Sequence, residues 1–350
     1  MNEILNSIFS TFLSLAPFAL LYFFFNWVEQ QPHTPQKKRI KRILYGLVSI
    51  VFIGFIILGL LLQLSTFLIP NNSLSESPFH DLKQDLQIQN VNQLFLLGLS
   101  LWMPSMLALI FLIPIVRRGI AHFIPIQATN SIHTITLVLS TSIIIQLGST
   151  LAIGLDSLST MVADESTWSV IAQLWTQDLM FLLIACLGVG YLTRRNSQET
   201  LQRLGLQKMT FQQFWLGCGI AICLVAIAYF LEIVLTPTPL GMEQEAEELT
   251  QKLIGPLFTS IPGVFTLGLA AAIGEEAIFR GALQPRFGLF LTSLLFAIVH
   301  SNYGLSLSTL IVFGVGICLG IVRIRFNTTV AMLVHALYNI CLGLIIYFQS

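Results

Sequence analysis

Charge is what this chain of 350 residues has least of: Asp, Glu, Lys and Arg make up 10%, against 55% apolar residues. A soluble globular chain is about 25% charged. At a mean hydropathy of +0.81, polar groups cannot cover a surface in water, which excludes a soluble enzyme and a disordered chain. An excess of either sign is missing too. Lys and Arg together number 17, as do Asp and Glu, so no basic footprint exists for nucleic acid and no such partner is expected. Cysteine is sparse and unpatterned. Cys186, Cys218, Cys223, Cys318 and Cys341 lie in apolar runs with no C-x-x-C pair, which excludes a disulfide scaffold and reads as small hydrophobes. Neither G-x-S-x-G nor H-E-x-x-H occurs, so a nucleophile elbow and a zincin helix are both out. The first apolar run has no basic start and no A-x-A-like exit, unlike a cleaved signal peptide.

What the chain has in abundance is apolar segments near the length of a membrane crossing, about 20 residues. Ten qualify: 4–27, 43–69, 93–116, 133–154, 172–193, 212–235, 257–280, 288–300, 305–322 and 327–348. The eighth is short for a full crossing. The expected fold class is all-α and polytopic, with about ten transmembrane helices in a multi-pass protein of a cell or inner membrane. With both termini outside, 15 of the 17 basic residues fall in inside loops, and only Lys83 and Lys252 stay outside. The positive-inside rule predicts that distribution. The inside set includes Arg194, Arg195, Arg203, Arg280, Arg286 and Arg323. Acidic residues such as Asp156, Asp164, Glu165, Glu243, Glu245, Glu247 and Glu248 occupy outer loops and read as solvated faces. No internal repeat is present. The loop 194–211 mixes Leu201, Leu204, Leu206 and Met209 with charges. It reads equally as an amphipathic interfacial stretch or an ordinary connection.

Few ionisable groups remain at membrane depth, where each costs about 2.5–3.5 kcal/mol on insertion scales. Asp178 and Glu232 stand alone and read as groups that pair with a neighbouring helix or reach the interface. The last third is different. Glu275 and Glu276 are adjacent, Arg280 follows, His300 ends the eighth segment, and His335 and Asn339 share a face four residues apart in the tenth. Glu275 lies roughly 27 Å below the outer start of its segment, and His335 and His300 roughly 12 and 18 Å above inner starts, so the three can meet near the middle-to-inner bilayer if their helices are neighbours.

Two chemistries suit this set. Glu275 can be a general base with His300 positioning a water. Alternatively Glu275, His300 and His335 can hold a divalent metal such as zinc, with an open position for water. In either case Asn339 is a donor suited to an oxyanion, and Glu276 with Arg280 has i,i+4 spacing for an ion pair. The residues alone leave open two other readings: satisfied polar groups between helices, and an ion-coupling site in a transporter.

The order of three motifs narrows this. Glu275-Glu276-Ala277-Ile278-Phe279-Arg280 reads E-E-x-x-x-R, Phe296 to His300 reads F-x-x-x-H, and His335 to Asn339 reads H-x-x-x-N. Together they resemble the motifs of the CPBP intramembrane proteases, which comprise type II CAAX prenyl endopeptidases and bacteriocin-processing or immunity proteins of the Abi type. The resemblance covers about residues 200–345. It implies water activated by Glu275 and His300, an oxyanion hole of His335 and Asn339, and supporting parts for Glu276, Arg280 and Phe296. It also implies a protein or peptide substrate at the bilayer. Members are often described as metalloproteases, although metal use is disputed. Some relatives are non-catalytic immunity or scaffold proteins, so that reading stays beside the enzymatic one. The expected organisation is an N-terminal membrane region 1–165 of unknown role and a protease domain 166–350 with its motif core at 270–340.

Overall fold

The computed structural model describes residues 2–349 apart from 33, 69–87, 89 and 236–243, and leaves out the side chains of Leu68, Glu232 and Leu235. Lys83 and Glu243, and the side chain of Glu232, therefore lie outside the described residues. In lipid every backbone polar group must be satisfied within the chain, and helices do this segment by segment. The described residues are accordingly helical throughout, joined by short turns. In chain order the helices are α1 (Asn2–Gln30), α2 (Pro35–Leu68), α3 (Val91–Phe111), α4 (Pro114–Ile120), α5 (Ser131–Ile153), α6 (Leu155–Met161), α7 (Thr167–Val189), α8 (Ser197–Leu204), α9 (Phe211–Leu235), α10 (Gln244–Ile254), α11 (Ile261–Glu276), α12 (Gln284–Ile298), α13 (Leu307–Arg325) and α14 (Thr328–Gln349).

Among the described residues nine helices, not ten, are long and apolar enough to cross a membrane. The difference lies in the seventh and eighth expected segments. They form one helical stretch, Ile261–Ile298, in which a π-helical turn (Ala277–Leu283) joins α11 to α12. A straight helix of that length would run about 57 Å. It does not run straight, because Gly288 sits at φ +77° and ψ 177°, a left-handed φ that glycine adopts without a Cβ clash. The chain folds back there. Phe279 and Phe296 would be about 26 Å apart along one helix, yet their rings are 5.3 Å apart. The returning limb, 289–298, rises only about 15 Å. It is half a crossing, and it ends inside the bundle.

Two basic residues expected in loops lie elsewhere. Arg280 and Arg286 are 1% and 4% exposed, within the Ile261–Ile298 stretch. The remaining basic clusters, such as Arg194, Arg195 and Arg323, mark one end of the bundle. The opposite, acidic end carries α10, which buries Ala246 and Leu249 against Leu155 and turns Glu245, Glu247 and Glu248 to the outside. A 3-10 turn, Ser301–Tyr303, ties the end of the half-crossing limb to this cap. Ser301 Oγ lies 3.2 Å from Thr150 Oγ1, and Asn302 donates to Thr250 Oγ1 of α10 at 3.2 Å. Apolar clusters also cross residue 165. Tyr22, Phe25, Ile132, Met180 and Ile184 form one, and Leu137 joins Phe279, Leu283, Phe287 and Phe296 in another.

Without a hydrophobic drive between helices in lipid, close association relies on small residues. α11 supplies Gly268, Ala270, Ala271, Ala272 and Gly274, all buried. A Cβ on Gly268 would stand 2.8 Å from Ala336 O of α14, and one on Gly274 would stand 2.5 Å from Asp178 O of α7. α11 is thus wedged between the two. Gly274→Ala should cost about 1–3 kcal/mol by overpacking. Gly219→Ala, with nothing within 4 Å of its added carbon, should stay within about 0.5 kcal/mol. Thermal unfolding of both variants in detergent checks this, and equal stabilities would contradict the close approach.

Candidate active site

The first motif is placed by α11, whose N-terminus is capped by Ser260 Oγ accepting from Gly263 N at 3.2 Å. Sixteen residues later the helix ends in the adjacent carboxylates, about 100° apart around the axis. That rotation gives them different neighbours. Glu276 is 0% exposed and faces α14, where its Oε1 accepts from His335 Nδ1 at 3.0 Å. Its Oε2 is 3.2 Å from Arg280 Nε. Arg280 donates to Gly316 O of α13 at 3.3 Å and lies 4.1 Å over the Phe296 ring. A buried charge is tolerable only when paired and hydrogen-bonded, and these four contacts supply the pairing.

Phe296 is the hub of the remainder. Its ring meets Phe279 at 5.3 Å, His335 at 5.9 Å and His300 at 5.1 Å. The half-crossing limb thereby delivers His300 to the depth of the first motif. His300 Nδ1 is 2.8 Å from Phe296 O. A carbonyl only accepts, so Nδ1 carries the proton and the neutral ring leaves Nε2 as an acceptor. His335 Nδ1 also carries a proton, because it lies 3.0 Å from the Glu276 carboxylate. Tyr303 stacks on His300 at 6.2 Å with 4° between the planes.

Glu275 is half-buried, and its Oε2 is a buried atom without a hydrogen-bond partner among the described residues. It stands close enough to Asp178, Arg280 and Tyr303 to interact electrostatically with each. Asn339 is half-buried one turn beyond His335 on the same face of α14. The structure thus joins Glu276, Arg280, Phe296, His300 and His335 by direct contacts, and sets Glu275 at their edge with a free oxygen.

A zinc site needs three such donors about 2.0–2.2 Å from one point. Among the described residues no three His, Cys, Asp or Glu side chains are placed to hold an ion. Among the described residues Glu275, His300 and His335 are not grouped in that way, although a histidine whose Nδ1 is held by a carboxylate, as His335 is by Glu276, has its other nitrogen left for a ligand.

Two neighbours of the site escape sequence reasoning. Tyr303 lies past the end of the second motif, in a turn that periodicity does not reveal. Asp178 was expected to pair with a neighbouring helix or reach the interface, and it does neither. It is 1% exposed, and both carboxyl oxygens lack a hydrogen-bond partner among the described residues. The only signal in the sequence is its depth in an apolar run.

Removing one member of the buried pair leaves the other uncompensated. Glu276→Gln should cost about 3–5 kcal/mol, and adding Arg280→Met should recover part of that loss. Chemical unfolding in micelles measures both. A double variant less stable than the single would contradict the pairing.

Residues 257–341 match the family described as "Rce1-like: Type II CAAX prenyl endopeptidase Rce1-like". A curated relative, the "Uncharacterized protein YpbD" of Bacillus subtilis (strain 168), is 48% identical over 44 residues, which are 13% of this chain and 23% of the relative. The chain thus spans about a quarter of that relative's length. No solved structure matches the chain. All three motifs, from Glu275 to Asn339, fall within the matched residues, so it is this C-terminal segment that is similar to the family.

Proposed function

We propose that the protein is an intramembrane endopeptidase that hydrolyses peptide bonds of membrane-associated or prenylated-type substrates with an activated water. One observation carries the reading. The buried Glu276–Arg280–His335 network locks three helices together and leaves Glu275, one residue away, with an unpartnered carboxyl oxygen and in electrostatic reach of Tyr303, which stacks on His300. The family match supports the reaction class.

In this mechanism Glu275 takes a proton from water, and Nε2 of His300 accepts the water's other hydrogen and fixes its direction. The hydroxide forms a C–O bond to the scissile carbonyl carbon as the carbonyl π electrons move to oxygen. His335 and Asn339 are the oxyanion donors. For His335 this requires a proton on Nε2 besides the one that Nδ1 donates to Glu276. As the C–N bond breaks, the proton on Glu275 passes to the leaving amine. Burial keeps bulk water out and strengthens every charge interaction in the site.

Glu275→Gln and His300→Ala should each lower turnover at least about 100-fold, the usual scale of general-base loss. Asn339→Ala should cost about 100- to 1000-fold, as removal of an oxyanion donor does. All three should unfold near the wild-type temperature. Cells expressing wild type or Glu275→Ala at equal levels should differ in their protein termini by mass spectrometry, with new termini only in the former. Identical termini, with a cellular phenotype retained by the variant, would replace this reading by that of a non-catalytic scaffold or immunity protein.

A further inference from the structure

Arginine gathers at the basic end of the bundle without matching carboxylates. Arg194 and Arg195 follow α7, Arg203 is on α8, and Arg286 is on α12. Each donates to a neutral oxygen. Arg194 bonds Asn26 Oδ1 at 2.5 Å, Arg195 bonds Val189 O, Arg203 bonds Gly281 O at 3.3 Å, and Arg286 bonds Gly188 O at 2.9 Å. Among the described residues none of the four is in an ion pair. A guanidinium has five N–H donors, and Arg286 Nε is buried with no hydrogen-bond partner among the described residues.

Three of these arginines share a cavity. Arg194, Arg195, Arg203, Glu199 and Gln202 line a space of about 460 Å³. Glu199, whose Oε2 accepts from Asn196 N at 2.9 Å in the cap of α8, sets one carboxylate against three guanidinium groups and leaves an excess of positive charge. Glu29, the acid nearest Arg194, is itself bonded to Lys37 and Lys41. Burial and the charge of Arg195 push both Arg194 and Arg203 below the usual guanidinium range. The turn that presents the first two is strained. Leu192 is the one non-glycine residue with positive φ, +63°, among those described, a conformation that crowds its Cβ against the following carbonyl. Gly190 O closes the turn by accepting from both Arg194 N and Arg195 N at 2.9 Å. Repulsion among the guanidinium groups favours an anion here. Leu192 and Leu201, each two residues along the chain from one of these arginines, are 66% and 47% exposed.

We propose that this cavity binds a phosphate-bearing anion, the headgroup of an anionic phospholipid at the basic end of the bundle, with Arg194, Arg195 and Arg203 as donors. The planar fork of arginine matches phosphate oxygens two at a time. Exposed leucines beside the charges suit acyl chains, which a free phosphate ion lacks. The site is separate from the proteolytic motifs and does not depend on their activity.

The test uses the purified full chain in nanodiscs of phosphatidylcholine with 30 mol% phosphatidylglycerol, and native mass spectrometry counts the retained lipids. Wild type should retain phosphatidylglycerol at least tenfold over phosphatidylcholine. Arg203→Gln and Arg194→Gln should each lose most of that preference, Arg203→Lys should keep part of it, and Arg118→Gln, an exposed cation outside the cavity, should keep all of it. Far-UV circular dichroism verifies that each variant is folded. Inorganic phosphate at 10 mM that displaces the lipid would show that the phosphate group suffices for binding. No preference in wild type, or an equal loss in Arg118→Gln, would overturn the site in favour of bulk charge.

Discussion

A carboxylate buried in an apolar bundle must find its counter-charge within the chain, and the placement of Glu276 follows from that requirement. It is 0% exposed, and its two oxygens face Arg280 and His335. One partner sits a turn along the same polypeptide stretch, and the other sits on α14. The network therefore fixes the rotation of α11 about its axis and its register against α14. Arg280 extends the link to α13 through Gly316 O. Breaking any of these contacts leaves a charge in a medium where it costs several kcal/mol, so alternative registers of these helices are strongly disfavoured. Glu275 takes its position from the same constraint. With Glu276 turned toward α14, the preceding residue is turned toward α7 and the half-crossing limb.

The backbone accommodates this with three departures from a plain helix. Small residues let α11 approach α7 and α14 until side chains such as Asp178 lie against its backbone. The π-helical turn at Ala277–Leu283 follows the two carboxylates directly, and π-turns inside helices are frequent at functional sites. Gly288 then reverses the chain. A full crossing after that reversal would carry the second-motif histidine past the first motif. Half a crossing stops it beside Phe296, within reach of the first and third motifs. Hydrogen bonds from the 3-10 turn to α5 and α10 tie the end of the limb to the acidic end of the bundle.

Much of this was legible in the sequence. Apolar runs near crossing length located the helices, because lipid admits little else. The i,i+4 spacing of Glu276 and Arg280 and the shared face of His335 and Asn339 were readable from helical periodicity alone. Three features were not. The reversal at Gly288 depends on one positive φ, and 24 glycines in the chain give no local sign of which one adopts it. Arg280 and Arg286 read as loop cations because hydropathy counts charge and does not see partners, whereas both are buried by tertiary contacts. Tyr303 and Asp178 reach the site through packing between distant segments, to which no spacing rule applies.

The central claim is that Glu275, freed by the Glu276 network, activates a water for attack on a peptide bond. Its most direct test is single-turnover cleavage of a bilayer-anchored peptide by the purified chain in proteoliposomes, run in water enriched in oxygen-18. The account predicts one heavy oxygen in each new C-terminal carboxylate, no covalent acyl intermediate, and no product with Glu275→Gln. Cleavage by Glu275→Gln at the wild-type rate, or a trapped acyl-enzyme in wild type, would contradict it.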